Sequence, residues 1–127
     1  MNDWIARAHR SLRSAALTLA DGDTNGACSH AYYAMFYAAR AALMMLGEDE
    51  AAMAKTHSGL ISAFNRHFVR AGIVAVEHGR NLGLEANRRL VADYEGDPIE
   101  PDLALLAIGH ATDFLSALER WISEQTT

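Results

Sequence analysis

The stretch SHAYYAMFYAARAALMML, residues 29–46, decides the fold of this 127-residue chain. It holds three of the four tyrosines and contains no proline, no glycine and no acidic residue. Because such a run favours a helix, and successive residues turn by about 100°, it predicts a central helix with two distinct faces. One face is smooth, with Ala31, Ala34, Met35, Ala38 and Ala42. The opposite face carries polar tips, from Ser29, Tyr33, Tyr37 and Arg40.

The smooth face is explained by packing, since small side chains let a neighbouring helix approach closely. The polar face needs another explanation. Each hydrogen-bonding group that is buried without a partner costs roughly 1–3 kcal/mol. This face is therefore either a structural polar network or the wall of a site.

The rest of the chain predicts an all-α fold in a single domain. Half of the residues are hydrophobic and only two are proline, and runs of alternating β-branched residues are absent. Apolar periodicity and turn signals predict an antiparallel bundle of about five helices. Their expected ranges are 3–20, 25–46, 56–70, 80–94 and 101–123. Residues 48–54 have no convincing period, and we expect a mobile connection there.

The sequence also favours a cytoplasmic location. The single Cys28 cannot form an intramolecular disulfide, and the N-terminus does not resemble a secretory signal. The longest apolar stretch is interrupted by His30 and Arg40, so it falls short of the roughly 20 apolar residues that cross a bilayer. No membrane association is expected.

Charge is distributed unevenly along a chain whose formal net charge is −5. Residues 1–92 contain ten basic and eight acidic residues, whereas residues 93–127 contain one arginine and eight acids. Three arginines, Arg7, Arg10 and Arg13, lie on the polar side of the first helix. They form a solvated surface, a phosphate-binding stripe or a docking surface for a partner, and the sequence leaves these readings open.

Two further positions carry polar groups that could serve a site. Thr56 is a plausible N-cap for the third helix, which places His57 in the first turn, where the helix dipole favours an anion or a neutral imidazole. In the fourth helix Glu85, Arg89 and Asp93 lie four residues apart. This spacing is typical of an intrahelical charge ladder.

Common cofactor and metal motifs are missing from the sequence. It contains no glycine-rich phosphate loop and no dinucleotide-binding fingerprint. Its six histidines include no pair four residues apart on a helix, and Cys28 is the only cysteine. We therefore expect neither a metal site nor a cofactor.

Three motifs in the same order resemble the HEPN domain superfamily, in particular its small stand-alone bacterial and archaeal members. The motifs are SHAYYAMF at 29–36, THSG at 56–59 followed by Phe64 and Phe68-Val69, and RLVADY at 89–94. The resemblance extends from about residue 21 to residue 114. It implies a helical bundle, a homodimer, and a toxin–antitoxin pairing with a minimal nucleotidyltransferase. Many members are metal-independent ribonucleases.

The sequence departs from that family in two places. The ribonuclease signature, an arginine followed four to six residues later by a histidine, is absent, since Arg70 and His78 are eight residues apart. In addition, His30 stands where related small proteins usually have arginine. These departures put RNA cleavage in doubt and leave a binding site plausible.

The resemblance and the polar face of the central helix together define the candidate site. Its expected ligand-binding residues are Ser29, Tyr33, Tyr37, Arg40, His57, Arg89, Asp93 and Tyr94. The catalytic candidates are His57, Arg89 and His30, with a histidine as general base or acid and Arg89 stabilising phosphate charge. Alternatively, Arg89 bonds Asp93 and Tyr33 and only ties helices together.

Three functions therefore remain open at the level of sequence. The protein is a ribonuclease-type toxin, a non-catalytic module that binds a nucleotide or RNA, or a structural subunit of a nucleotidyltransferase complex. In the last case the acidic C-terminal region or the Arg7, Arg10 and Arg13 stripe would contact the partner.

Overall fold

A computed structural model describes residues 3–125, except for the side chain of Glu95, and confirms the all-α class. It contains six helices and, in the described residues, no strand. The helices are α1 (Asp3–Ala20), α2 (Thr24–Met45), α3 (Asp49–Ala52), α4 (His57–Phe64), α5 (Val76–Glu95) and α6 (Pro101–Gln125). A π-helical turn, Asn65–Val69, extends α4.

Helix α2 lies at the centre of the bundle and packs against α1, α5 and α6. Its predicted smooth face is confirmed, since Ala31, Ala34, Met35 and Ala38 are completely buried. A tight turn joins α1 to α2, with Gly22 at a φ of 89° that favours glycine. The Asp23 carboxylate then accepts the Gly26 N–H at 2.9 Å and caps α2.

An aromatic cluster joins α4 and its π-helical turn to α6. Phe64 stacks on Phe68 with ring centroids 5.1 Å apart, and it contacts Phe114 at the same distance. Trp121 meets Phe68 edge to face at 4.8 Å. This cluster holds the C-terminal end of α4 and its π-helical turn against α6.

The segment 48–54, expected to lack regular structure, contains the short helix α3 at residues 49–52. The Ala52 side chain is completely buried, and its carbonyl accepts a 2.7 Å hydrogen bond from Arg40 Nε. Four helical residues are too few to show a period in sequence. Tertiary contacts with α2 hold this segment, and sequence periodicity does not record them.

Helix α5 also begins earlier than predicted, at Val76 rather than at residue 80. The sequence pattern from residue 74 to residue 79 is ambiguous, but Gly79 is buried inside the helix. A Cβ atom there would clash with the side chains of Asn65 and Val69. The glycine therefore permits close packing of α5 against the π-helical turn.

The sequence predicts no membrane-spanning helix, and the lengths and hydropathies of the observed helices bear on this. Within residues 3–125, none of the helices combines the length and the apolar character that crossing a bilayer requires.

Candidate functional site

His57 is the first residue of α4, and its position is fixed by the predicted cap. Thr56 Oγ1 accepts the Gly59 N–H at 3.0 Å. The imidazole stacks on Phe36 with centroids 4.5 Å apart and an interplanar angle of 23°. It also stacks on Tyr32 at 5.6 Å. The cap and the two α2 rings together orient the histidine at the bundle surface.

A short hydrogen bond of 2.6 Å joins the Tyr32 hydroxyl to His57 Nδ1. Burial raises the pKa of Tyr32 well above its usual range, although Arg89 opposes this effect. Partial burial, followed by the positive charges of Arg89 and Arg40, lowers the pKa of His57. Near neutral pH both groups are therefore uncharged. We assign the hydroxyl as the donor to Nδ1, which leaves the ring proton on Nε2.

Arg89 reaches the same place from α5. Its Nη1 donates a 2.9 Å hydrogen bond to the Tyr33 hydroxyl, and its guanidinium carbon lies 5.5 and 5.4 Å from the centroids of Tyr32 and Tyr33. Asp93 Oδ2 is 3.5 Å from Nε, an ion-pair distance. That Nε is nevertheless buried and makes no hydrogen bond to any described residue. The Asp93 carboxylate is 52% exposed, so this pairing is weak.

Arg40 and Trp4 border the site on the α1 side. The Arg40 guanidinium lies 4.7 Å from the Trp4 ring centroid and 4.8 Å from that of Phe36. Arg7, one turn further along α1, lies 4.5 Å from the same Trp4 centroid. Tyr37 stacks on Trp4 at 5.7 Å. One indole ring thus holds two guanidinium groups by cation–π contacts.

The structure brings together most of the residues predicted for the site. Tyr33, Tyr37, Arg40, His57, Arg89 and Asp93 form one connected set. The side chains of Ser29 and His30, on α2, make no hydrogen bond, ion pair or ring contact with other described residues. Tyr94 is 85% exposed. No such interaction joins these three side chains to the set in the part of the chain that the structure describes.

Four residues of the site were not predicted from the sequence, namely Tyr32, Phe36, Trp4 and Arg7. A signal for two of them was present, because Tyr32, Phe36 and Arg40 are spaced four residues apart and must form a row on α2. The sequence reading followed the Ser29, Tyr33 and Tyr37 row instead. Trp4 and Arg7 depend on how α1 packs against α2, and local periodicity does not show this.

The site has more positive than negative charge. Arg7, Arg40 and Arg89 surround it, and Asp93 is the only carboxylate paired with any of them in the described residues. Among the side chains that the structure describes, no carboxylate oxygen lies within 4.0 Å of a nitrogen of Arg7 or Arg40. The same part of the chain contains no cluster of three or more potential metal-ligating side chains. The arrangement therefore suits an anion.

A second polar cluster lies deeper, between α5 and α6. The Glu85 side chain is completely buried, and its Oε2 is 2.8 Å from His110 Nδ1. Its Oε1 lies 3.5 Å from Arg88 Nε. The predicted ladder of Glu85, Arg89 and Asp93 is therefore only half correct, because Glu85 faces His110 rather than Arg89.

The single cysteine, Cys28, is buried near this cluster. Burial, with the nearby Glu85 charge, raises the pKa of Cys28 to about 11, so its thiol stays protonated.

The helical bundle and the motifs that meet in this site are those of one family. The HEPN domain family matches residues 1–121, and the chain belongs to it. The resemblance inferred from the three sequence motifs is thereby confirmed.

Particular relatives come from bacteria and archaea. A UPF0332 protein of Thermotoga maritima is 34% identical over 123 residues, covering 95% of this chain and 89% of its own length. A UPF0332 protein of Gloeobacter violaceus is 39% identical over 95 residues, covering 74% and 71%. A protein of Methanocaldococcus jannaschii named "Putative toxin MJ0605" is 28% identical over 120 residues, covering 94% and 87%.

Proposed function

We propose that this HEPN protein binds RNA or a nucleotide through a phosphate group held by Arg89 and His57. The observation that carries the proposal is the excess of positive charge in a half-buried aromatic site. A guanidinium presents paired donors that suit a phosphate, and charge-assisted hydrogen bonds of this kind are the stronger ones. Arg40 adds a second positive charge on the other side of His57.

The hydrogen-bond donors support binding more directly than cleavage. With Nδ1 engaged by Tyr32, His57 offers an Nε2–H donor to the open side of the site. A phosphate oxygen would accept from this Nε2–H, and the nearby Arg89 guanidinium would add an attractive positive charge. The half-buried rings of Tyr33 and Tyr37 offer aromatic surface for a base.

A metal-independent ribonuclease is the second candidate function. One observation favours it, namely an imidazole with a lowered pKa beside a fixed arginine, since general acid–base catalysis needs a group that titrates near neutral pH. Against it stand the missing Arg–His signature and the tautomer that Tyr32 imposes, because an Nε2–H is not a base. The printed name of the M. jannaschii relative supports a toxin role for either function.

The proposal includes a homodimer. Large apolar side chains are exposed on α5 and α6, including Leu84, Val91, Leu103 and Leu106. Arg88 Nη1 donates to the Leu103 carbonyl at 3.0 Å, which makes these turns of the two helices neighbours. Exposed apolar side chains on two neighbouring helices favour an interaction surface, and a second copy of the chain would cover them.

A minimal nucleotidyltransferase completes the proposal as the partner in a toxin–antitoxin pair. Family membership supports this pairing. The acidic region 93–127 would suit a basic surface on the partner, since complementary charge steers association.

The test is RNA binding by a variant at Arg89. Fluorescence anisotropy with a labelled 12-nucleotide oligo(U) RNA should show at least a tenfold weaker affinity for Arg89→Gln, by loss of a charge-assisted contact. Arg80→Gln is the matched control, because Arg80 is an exposed arginine on the same helix. Equal affinities for the two variants would overturn the proposal, as would a native protein that binds neither the RNA nor UMP.

The same experiment separates binding from cleavage and from a purely structural role. Intact oligo(U) after prolonged incubation, with the native protein still bound, excludes the ribonuclease reading. If Arg89 only ties α5 to α2, Arg89→Gln should lower the melting temperature while no RNA binds to the native protein at all.

A further inference from the structure

We propose that Arg7 and Arg40, held together on the Trp4 ring, form a second phosphate subsite, so that the ligand is a single strand of RNA. This inference rests on the proposed function and identifies its ligand class. The subsite joins α1 to α2, whereas the first subsite joins α5 and α4 to α2. The ligand would therefore lie across the aromatic wall of α2.

The first observation is that one indole ring holds two like charges. Both guanidinium groups lie within 4.7 Å of the centroid of one indole ring. The Arg7 charge acts on Arg40, whose pKa is lowered first by burial and also by Arg7. Like charges that act on each other in this way repel. An anion that contacts both guanidinium groups would relieve the repulsion.

The second observation is that Arg40 is fixed in place for this role. Its Nε donates to the Ala52 carbonyl at 2.7 Å, and its guanidinium also contacts the Phe36 ring. A side chain immobilised before binding loses little entropy when a ligand arrives. Helix α3, which sequence analysis did not foresee, supplies the carbonyl that holds it.

The two subsites are separate but connected. Arg89 contacts Tyr32 and Tyr33, whereas Arg40 contacts Phe36 and Trp4, and they share no ring. His57 stacks on Phe36 and on Tyr32 and therefore lies between the two cations. The site thus has two cationic points on either side of one imidazole.

Two cationic points with an imidazole between them favour a strand over a nucleoside diphosphate or triphosphate. Adjacent phosphates in those nucleotides share a bridging oxygen, so they would need all of the positive charges grouped at one point. Phosphodiesters in a strand are separated by nucleosides, whose bases can stack on aromatic rings between the cationic points. Proteins that bind single strands usually combine arginines with exposed aromatic side chains.

The geometry also selects among the three arginines of α1. All three are exposed, but in the described residues only Arg7 has its guanidinium on an aromatic ring. Arg13 lies two turns further along the helix. It serves as a matched control, with the same side chain and the same helix but no part in the subsite.

The experiment measures affinity for three probes by native protein, Arg7→Gln and Arg13→Gln. The probes are 12-nucleotide oligo(U) RNA, UMP and UDP. We expect Arg7→Gln to bind the 12-mer about tenfold more weakly, with a salt dependence reduced by about 0.7 in logarithmic slope. UMP binding should stay unchanged, and Arg13→Gln should match the native protein for every probe. Trp4→Leu should reproduce the loss, and Trp4→Phe should restore part of it, because phenylalanine keeps a weaker cation–π face.

The possible failures are distinguishable. If Arg89→Gln loses the 12-mer while Arg7→Gln binds it as tightly as Arg13→Gln does, the second subsite is wrong and the proposed function stands. If Arg7→Gln weakens UDP as much as the 12-mer, the ligand is a nucleotide rather than a strand. If none of the probes binds the native protein, both proposals are wrong.

Discussion

Helix α5 carries two polar clusters that lie within two turns of each other and differ in almost every physical respect. In the inner cluster Glu85 is completely buried and faces His110 and Arg88. In the outer cluster Arg89 faces Tyr33 and His57, with only the half-exposed Asp93 as a counter-ion. Each cluster has one buried atom that makes no hydrogen bond to a described residue, Glu85 Oε1 in the inner cluster and Arg89 Nε in the outer one. The inner carboxylate has Arg88 and His110 around it, whereas the outer cations exceed their carboxylates. The difference indicates a structural role for the first and a binding role for the second.

Local helix geometry explains why the clusters separate. Arg88 and Arg89 are sequence neighbours, but side chains one position apart point about 100° away from each other on a helix. Arg88 therefore turns to α6, where it also donates to the Leu103 carbonyl, while Arg89 turns to α2. A single helix can thus tie the bundle together on one side and present a cation to a site on the other.

The largest expected effect is the loss of stability in Glu85→Ala. Removing one member of a buried charge cluster leaves the others without a partner, and such changes cost about 3–5 kcal/mol. Urea unfolding should show this loss. The control is Glu119→Ala, because Glu119 and His9 form another Glu–His pair at 3.0 Å with side chains 41% and 43% exposed. Exposed pairs contribute at most about 1 kcal/mol. Similar losses in the two variants would remove the distinction between buried and exposed clusters.

A smaller effect is expected at Asp93. Because the Asp93 carboxylate is half exposed, Asp93→Asn should change the free energy of unfolding by less than about 0.5 kcal/mol. It removes a negative charge beside Arg89, so affinity for oligo(U) should rise by about twofold or more. Asp113→Asn, at an exposed position on α6, controls for the change in net charge. If Asp93→Asn instead weakens RNA binding, Asp93 positions Arg89 for its ligand and does not compete with it.

The sequence predicted the bundle well where patterns are long. The buried alanine face of α2 and the Thr56 cap follow from helical periodicity and from capping chemistry, and the structure has both. The short α3 and the early start of α5 escaped prediction. Both depend on contacts from elsewhere in the chain, namely the Arg40 hydrogen bond and the close approach at Gly79.

The sequence predicted the site residues that α2, α4 and α5 contribute better than those that α1 contributes. Motif residues identified Tyr33, His57 and Arg89, and the structure places them together. Trp4 and Arg7 carry no motif, and only the packing of α1 on α2 brings them near Arg40. The hydroxyl of Tyr32 was missed because a buried tyrosine on a helix reads as core until its partner, His57, is known.

The most direct test of the account is the pKa of the His57 imidazole, measured by NMR with and without oligo(U) RNA. In the free protein we expect a pKa below the usual value of about 6.5, because partial burial and the charges of Arg89 and Arg40 disfavour the imidazolium. A phosphate beside the ring favours the imidazolium, so RNA should raise this pKa. By linkage, affinity should then increase as the pH falls through the two values. An unchanged His57 pKa in the presence of bound RNA would contradict the account, because it would place the ligand away from the outer cluster of α5.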